Sequence, residues 1–281
     1  MKVFVIDVEK CFGCYSCQLA CKDEHVENDW TPYAKPQPDT GQFWIKVLEM
    51  ERGSIPKLKV TWMPILCMHC DNAPCIPACP AKAIYRRGDG LVIIDPEKCN
   101  GCKACIDACP YGAIYFNDEL NIAQKCTGCS HILDGKSPEY LETHGPTPKC
   151  VLACPSEAIR FGEYDELREL ISKAETLHPE YGTKPHVYYL NPPKPFIAGE
   201  VYSPEEDECV MGATVTAVDL TSGKTYSTTT DIFGDFWLKN LEWNKVYQVT
   251  IEHPNYMKKV LGAVSTTKDT NLGSIPLYKK P

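Results

Sequence analysis

Apolar and polar positions change rhythm several times along this chain. Val3–Ile6 and Leu91–Ile94 are short apolar runs flanked by polar residues, and each predicts a buried strand. Gln42-Phe43-Trp44-Ile45-Lys46-Val47-Leu48-Glu49 alternates as a half-buried strand does, and Val60-Thr61-Trp62-Met63 offers it a partner. Between Glu163 and Leu177 the period lengthens: Leu167, Leu170, Ile171 and Ala174 fall on one face of a predicted helix. The Pro- and Tyr-rich tract from His178 to Pro195 predicts extended chain, because proline disfavours helix in the residue before it. Alternation then returns in seven short stretches: Phe196–Tyr202, Ala213–Leu220, Lys224–Thr230, Phe236–Leu241, Val246–Glu252, Met257–Val264 and Leu272–Leu277. Turn residues separate them, as at Ser222-Gly223, Phe233-Gly234-Asp235 and His253-Pro254-Asn255. This predicts an α+β chain of two domains, 1–195 and 196–281, the second an antiparallel β-sandwich of the immunoglobulin or transthyretin kind.

Composition changes the picture at one residue type. The 281 residues include 17 cysteines, and sixteen fall into quartets. Cys11, Cys14, Cys17 and Cys21 form the first, and Cys67, Cys70, Cys75 and Cys79 the second. Cys99, Cys102, Cys105 and Cys109 form the third; the fourth is split between Cys126, Cys129 and Cys150, Cys154. A [4Fe–4S] cluster takes four thiolates, and in two-cluster ferredoxins each run sends its last Cys to the other cluster. The spacing therefore points to four [4Fe–4S] clusters. Disulfide frameworks belong to small secreted chains. Zinc sites use separated C-x2-C pairs, not three nearly consecutive thiolates.

The quartets sit in repeats. Ile6-Asp7-Val8-Glu9-Lys10-Cys11-Phe12-Gly13-Cys14 parallels Ile94-Asp95-Pro96-Glu97-Lys98-Cys99-Asn100-Gly101-Cys102, and Cys126-Thr127-Gly128-Cys129 repeats the glycine. Cys79-Pro80-Ala81-Lys82-Ala83-Ile84 parallels Cys109-Pro110-Tyr111-Gly112-Ala113-Ile114 and Cys154-Pro155-Ser156-Glu157-Ala158-Ile159. Strand, cluster loop, short helix and strand make a ferredoxin-like unit. The second and third quartets pair as one two-cluster module, and the first and fourth pair around them, giving two nested modules. Crossing the last ligands gives four sets. They are Cys11, Cys14, Cys17 with Cys154; Cys126, Cys129, Cys150 with Cys21; Cys67, Cys70, Cys75 with Cys109; and Cys99, Cys102, Cys105 with Cys79.

The remaining candidates are weaker. His69 and His131 lie beside ligands and either tune the clusters or simply pack. Lys10, Lys98 and Lys125 each precede a quartet, where they either offset cluster charge or sit solvated at a loop edge. Cys209 stands among Glu206, Asp207 and Glu208, which disfavour its thiolate. The insertion 24–64, rich in aromatics, suits either an interface or a local shield for a cluster. A formal charge of -8 with no basic run argues against nucleic acid. No apolar stretch reaches membrane-spanning length. The first residues lack a secretory pattern, so a cytoplasmic location is expected, or a periplasmic one if a partner carries an export signal.

The four-quartet set, with Cys67-Met68-His69-Cys70-Asp71-Asn72-Ala73-Pro74-Cys75, resembles the iron–sulfur subunits of the dimethyl-sulfoxide-reductase family of molybdenum or tungsten enzymes. That likeness spans residues 1 to about 190. Asp23-Glu24-His25, Glu51-Arg52-Gly53, Gly182-Thr183-Lys184-Pro185 and the sandwich with Phe233-Gly234 are similar to the small subunits of pyrogallol–phloroglucinol transhydroxylases over nearly the whole chain. The complete third quartet departs from those subunits, which the resemblance implies lack most of it.

The resemblance implies a chain without catalytic residues of its own. It would carry electrons for a large molybdopterin-containing subunit acting on a polyphenol, or for another small-molecule or oxyanion reductase, with an external donor or acceptor beyond. A free-standing polyferredoxin is the alternative from another class; it needs neither the aromatic insertion nor the sandwich. Structural clusters with no net electron flow are a third reading.

Overall fold

The computed structural model describes residues 1–135 and 138–281 and divides into two units, Met1–Glu49 with Trp62–Pro192, and Met50–Thr61 with Pro193–Pro281. The second unit thus takes in residues 50–61, which the sequence reading kept with the first domain, and the chain passes between units at Pro192 rather than 195. No helix among the described residues is long and apolar enough to cross a membrane.

The first unit is built on β1 (Lys2–Asp7), whose residues Val3–Ile6 are all buried. Next come α1 (Ser16–His25), β2 (Ile45–Ser54), β3 (Lys57–Leu66), β4 (Ile84–Arg86) and β5 (Val92–Ile94). They are followed by α2 (Ala104–Ala108), β6 (Tyr115–Asn117), β7 (Ile122–Gln124), α3 (Ser130–Leu133), α4 (Pro138–His144) and α5 (Lys149–Leu152). The unit closes with β8 (Ile159–Glu163), α6 (Arg168–Ile171) and β9 (Val187–Leu190). Strand β1 lies between β8, antiparallel with Phe4 opposite Phe161, and β9, parallel with Val5 opposite Tyr188. The antiparallel pair β4–β5 joins the second quartet to the third, and β6–β7 joins the third to the fourth. The hairpin β2–β3 starts and finishes in this unit, where Trp44, Ile45, Val47 and Leu66 join its core.

The long helix expected over 163–177 does not form. Glu163 ends β8, pairing with Lys2, and only Arg168–Ile171 is helical. Glu175 then exchanges both backbone hydrogen bonds with Tyr189, which draws the chain to β9. The apolar face is nonetheless used: Leu167, Leu170 and Ile171 pack on Val3 and Val5. The extended tract after His178 acquires a single 3-10 turn at Pro179–Tyr181 before becoming β9.

The second unit is a sandwich of two four-stranded sheets. Its strands are β10 (Ile197–Ser203), β11 (Glu208–Cys209), β12 (Thr214–Asp219), β13 (Thr225–Thr229), β14 (Asp235–Leu238), β15 (Val246–His253), β16 (Tyr256–Ser265) and β17 (Thr270–Pro276). One sheet runs β11–β10–β14 with β17 parallel to β10, and the other runs β13–β12–β15–β16. Alternation places Ile197, Val201, Phe236 and Ile275 of the first against Val215, Ala217, Tyr247 and Val249 of the second. Within the same unit, Arg52 grips Asp269 through Nε and Nη2 at 2.9 and 2.8 Å, with both side chains under a tenth exposed. Lys57 pairs with Asp235.

Candidate metal centres

Each quartet begins with a tight turn. Gly13, Gly101 and Gly128 have φ of 72°, 73° and 62°. At Gly13 a Cβ would come within 2.5 Å of the Trp62 indole, so only glycine fits both the turn and its cover. In the second quartet His69 takes the same left-handed position at φ 45° without being glycine. The closing repeat is equally regular. Lys82, Gly112 and Glu157, three residues after a Cys-Pro cysteine, are left-handed and donate N–H to that cysteine's carbonyl at 3.1, 3.2 and 3.1 Å. Ala83-Ile84, Ala113-Ile114 and Ala158-Ile159 follow, all buried.

These turns gather the cysteines in four groups. Cys21, Cys126, Cys129 and Cys150 wall a cavity of about 290 Å³, closed by Phe4, His25, Trp44 and Ile45. Cys67, Cys70, Cys75 and Cys109 wall another of about 340 Å³. Cys79, Cys99, Cys102 and Cys105 wall a third of about 270 Å³. Cys11, Cys14 and Cys154 lie near Cys17: burial first, and repulsion from these three sulfurs after it, lifts the Cys17 thiol. In the first three of these groups the sulfurs surround a space. Among the described residues, no three His, Cys, Asp or Glu side chains are placed to hold a single metal ion.

The groups also have neighbours. Cys17 and Cys21, one turn apart on α1, face two different groups. Cys75 and Cys79, Cys105 and Cys109, and Cys150 and Cys154 repeat this four-residue step. Lys125 donates to the carbonyls of Val92 and Cys126, so one side chain touches the walls of both inner groups. The order is therefore an outer group with exposed Cys14, two inner groups, and an outer group with exposed Cys102. Cys21, Cys126, Cys129, Cys150, Cys67, Cys70 and Cys75 are all buried.

Burial raises these thiols. Cys17, Cys75, Cys126 and Cys129 are pushed up to about 12, and Cys70 and Cys105 to about 11, by desolvation first and neighbouring sulfurs second or third. Cys21 and Cys150, wholly buried, rise well above the ordinary value. Four sulfurs facing one dry space hold their protons unless cationic metal replaces them. Backbone N–H groups already aim at sulfur: Ala158 to Cys154 at 3.2 Å, Gly128 to Cys126 and Ala123 to Cys99 at 3.4 Å. Such donors favour a sulfur that carries charge. A four-thiolate iron–sulfur cluster fits this donor set.

The surroundings hold residues that spacing did not single out for a role. Glu24 and His25, at the end of α1, are buried. Burial acts to raise the Glu24 carboxyl, but the hydrogen bond from His131 at 2.7 Å and the Lys149 ammonium hold it below its usual range. Burial lowers His25 to about 4, and its neutral ring donates Nδ1–H to the Cys21 carbonyl at 2.8 Å. Trp30 stacks on His131 at 4.2 Å. His69 and His131 are fully enclosed rather than surface residues, and His69 Nδ1 accepts the Val92 N–H at 3.0 Å. Cys209 is exposed and belongs to the second unit.

Cysteine groups held in tight turns, with four-residue steps leading from one group to the next, define an iron–sulfur protein of the ferredoxin class. Residues 58–164 match a family described as a 4Fe-4S dicluster domain, and residues 8–28 a 4Fe-4S binding domain. Residues 197–275 match a carboxypeptidase regulatory-like domain. The pyrogallol hydroxytransferase small subunit of Pelobacter acidigallici is 38% identical over 261 residues, covering 88% of this chain and 89% of that one. One subunit of the sulfite dehydrogenase of Allochromatium vinosum is 38% identical over 198 residues (66% of this chain, 81% of that one). The arsenate respiratory reductase iron–sulfur subunit of a Shewanella is 32% identical over 240 residues (66% and 94%). The chain belongs to the iron–sulfur subunits of the dimethyl-sulfoxide-reductase family of molybdopterin oxidoreductases. It is an electron-transfer subunit, not the catalytic one.

Proposed function

We propose that this chain binds four [4Fe–4S] clusters, one in each cysteine group, and connects a large molybdopterin-containing catalytic subunit to an external electron donor or acceptor. Bound clusters supply one-electron exchange. The chain's own part is to supply sixteen thiolates, exclude water from the two inner sites, and hold N–H donors against the sulfurs. The observation that carries the reading is the series itself: enclosed groups in the middle and a group with an exposed cysteine at either end. A shuttle with one buried site would need no such succession.

Polyphenol chemistry in the partner, of the transhydroxylase or dehydroxylase type, is the leading assignment. Its support is the hydroxytransferase relative, matched along nearly the whole chain, sandwich included. A reductase of another small molecule or oxyanion is the second reading, favoured by the relatives of sulfite dehydrogenase and arsenate reductase. Anaerobic purification tests the proposal: the chain should co-purify with a large pterin-containing subunit and carry about sixteen iron atoms, four per cluster. Stoichiometric isolation alone would favour a diffusing polyferredoxin. Clusters that stay in one state through a full reductive titration would leave them a structural role only.

A further inference from the structure

Lys10, Lys98 and Lys125 occupy one sequence position, immediately before the first cysteine of a quartet, yet the fold treats them differently. Lys10 is exposed. The Lys98 side chain is 62% exposed and pairs with Asp95 at 2.7 Å. Lys125 is 2% exposed, among the largest fully buried side chains, and pairs with no carboxylate among the described residues. Its ammonium donates to the carbonyl of Val92, and to that of Cys126 at 3.1 Å. Val92 lines the cavity of Cys67, Cys70, Cys75 and Cys109, while Cys126 belongs to the cavity of Cys21, Cys129 and Cys150. Nζ is thus tied to the walls of both inner sites.

A buried ammonium is costly unless an opposite charge lies near. Two carbonyl oxygens solvate Nζ but do not neutralise it. The anionic chemistry on both sides is sulfur, the cysteines of the two cavities whose walls carry Val92 and Cys126. A fixed positive charge in a dry interior acts strongly over such distances and is little screened by salt.

We propose that Lys125 is a built-in countercharge shared by the two inner clusters, holding their reduction potentials above the values a neutral residue would allow. Each reduction adds one electron to a cluster from the external donor, and Lys125 is neither ligand nor reactant, so the device works through charge alone. Lys125 acts on the clusters as a positioning residue; it is not a ligand. The proposal rests on the four-cluster reading given above.

The test compares wild type, Lys125→Met, Lys125→Gln and Lys125→Arg in the full chain, purified anaerobically. Iron content is measured first, then a potentiometric titration is followed by electron paramagnetic resonance. In the Met and Gln variants two of the four midpoints should move to lower potential while the other two hold. The Arg variant should stay near wild type. Unchanged midpoints in an iron-replete Met variant would overturn the proposal, as would an Arg variant that shifts as far as Met. If Met and Gln lose iron, Arg decides: iron retained shows that charge is what the sites require, and iron lost shows a requirement of shape that sinks the countercharge. Fewer than four titrating clusters in the wild type itself would overturn the functional reading instead, independently of any variant.

Discussion

Cys150 and Cys154 lie one turn apart at the end of the split quartet, yet they face different spaces. Cys150 walls the enclosed cavity with Cys21, Cys126 and Cys129, whereas Cys154 acts on Cys11 and Cys17. Cys154→Ser should therefore alter the same resonance signal as Cys14→Ser and leave the signal altered by Cys150→Ser untouched. Matching signals for the two Ser variants at 150 and 154 would show that the sequence-local grouping, not the crossed one, holds the metal. At this scale the cysteine runs were legible in the sequence, because spacing within a run is a local property. The lysines could not: Lys10, Lys98 and Lys125 precede their quartets identically, and only packing encloses one of them. Glu24 and Lys149 were likewise silent, being 125 residues apart by number and adjacent only through folding.

At the scale of elements, the short repeats were readable and the long helix was not. The Cys-Pro turns recur because each must reverse the chain within three residues, a demand that local geometry alone imposes. The seven expected sandwich strands correspond to β10 and β12–β17 to within three residues at each end, since alternation is strict where one face is buried. Over 163–177 the helical spacing was genuine, but backbone pairing of Glu163 with Lys2 and of Glu175 with Tyr189 competed for the same chain and prevailed. The hairpin β2–β3 offers a prediction at this level. Asp269→Asn weakens the bidentate grip on buried Arg52 and should cost about 3 kcal/mol, the usual range for breaking a buried pair. Hydrogen exchange should then quicken in residues 50–61 more than in the sandwich strands. Equal quickening everywhere would mean that the pair serves the sandwich as a whole.

Across the whole molecule, stability is divided between two kinds of core. The main core of the first unit includes Cys17, Cys21, Cys67, Cys70, Cys75, Cys105, Cys126 and Cys150 among its buried residues, so much of its interior is sulfur. The sandwich core contains no cysteine and is filled by Val, Ile, Leu, Phe, Ala and Tyr. Reductive chelation of iron should therefore unfold the first unit and leave the second folded. Amide protection should collapse over 1–49 and 62–192 while the strands of 197–276 keep theirs, and a sandwich that melts together with the first unit would contradict this. The sequence by itself determined the ligand chemistry, the repeats and the alternation of the sandwich, because each is carried by residues close together in the chain. Only the tertiary structure decided which groups are enclosed, which cysteines reach the surface and which of three equivalent lysines is buried between two sites. Burial depends on what distant segments bring to a residue, and no local pattern encodes that.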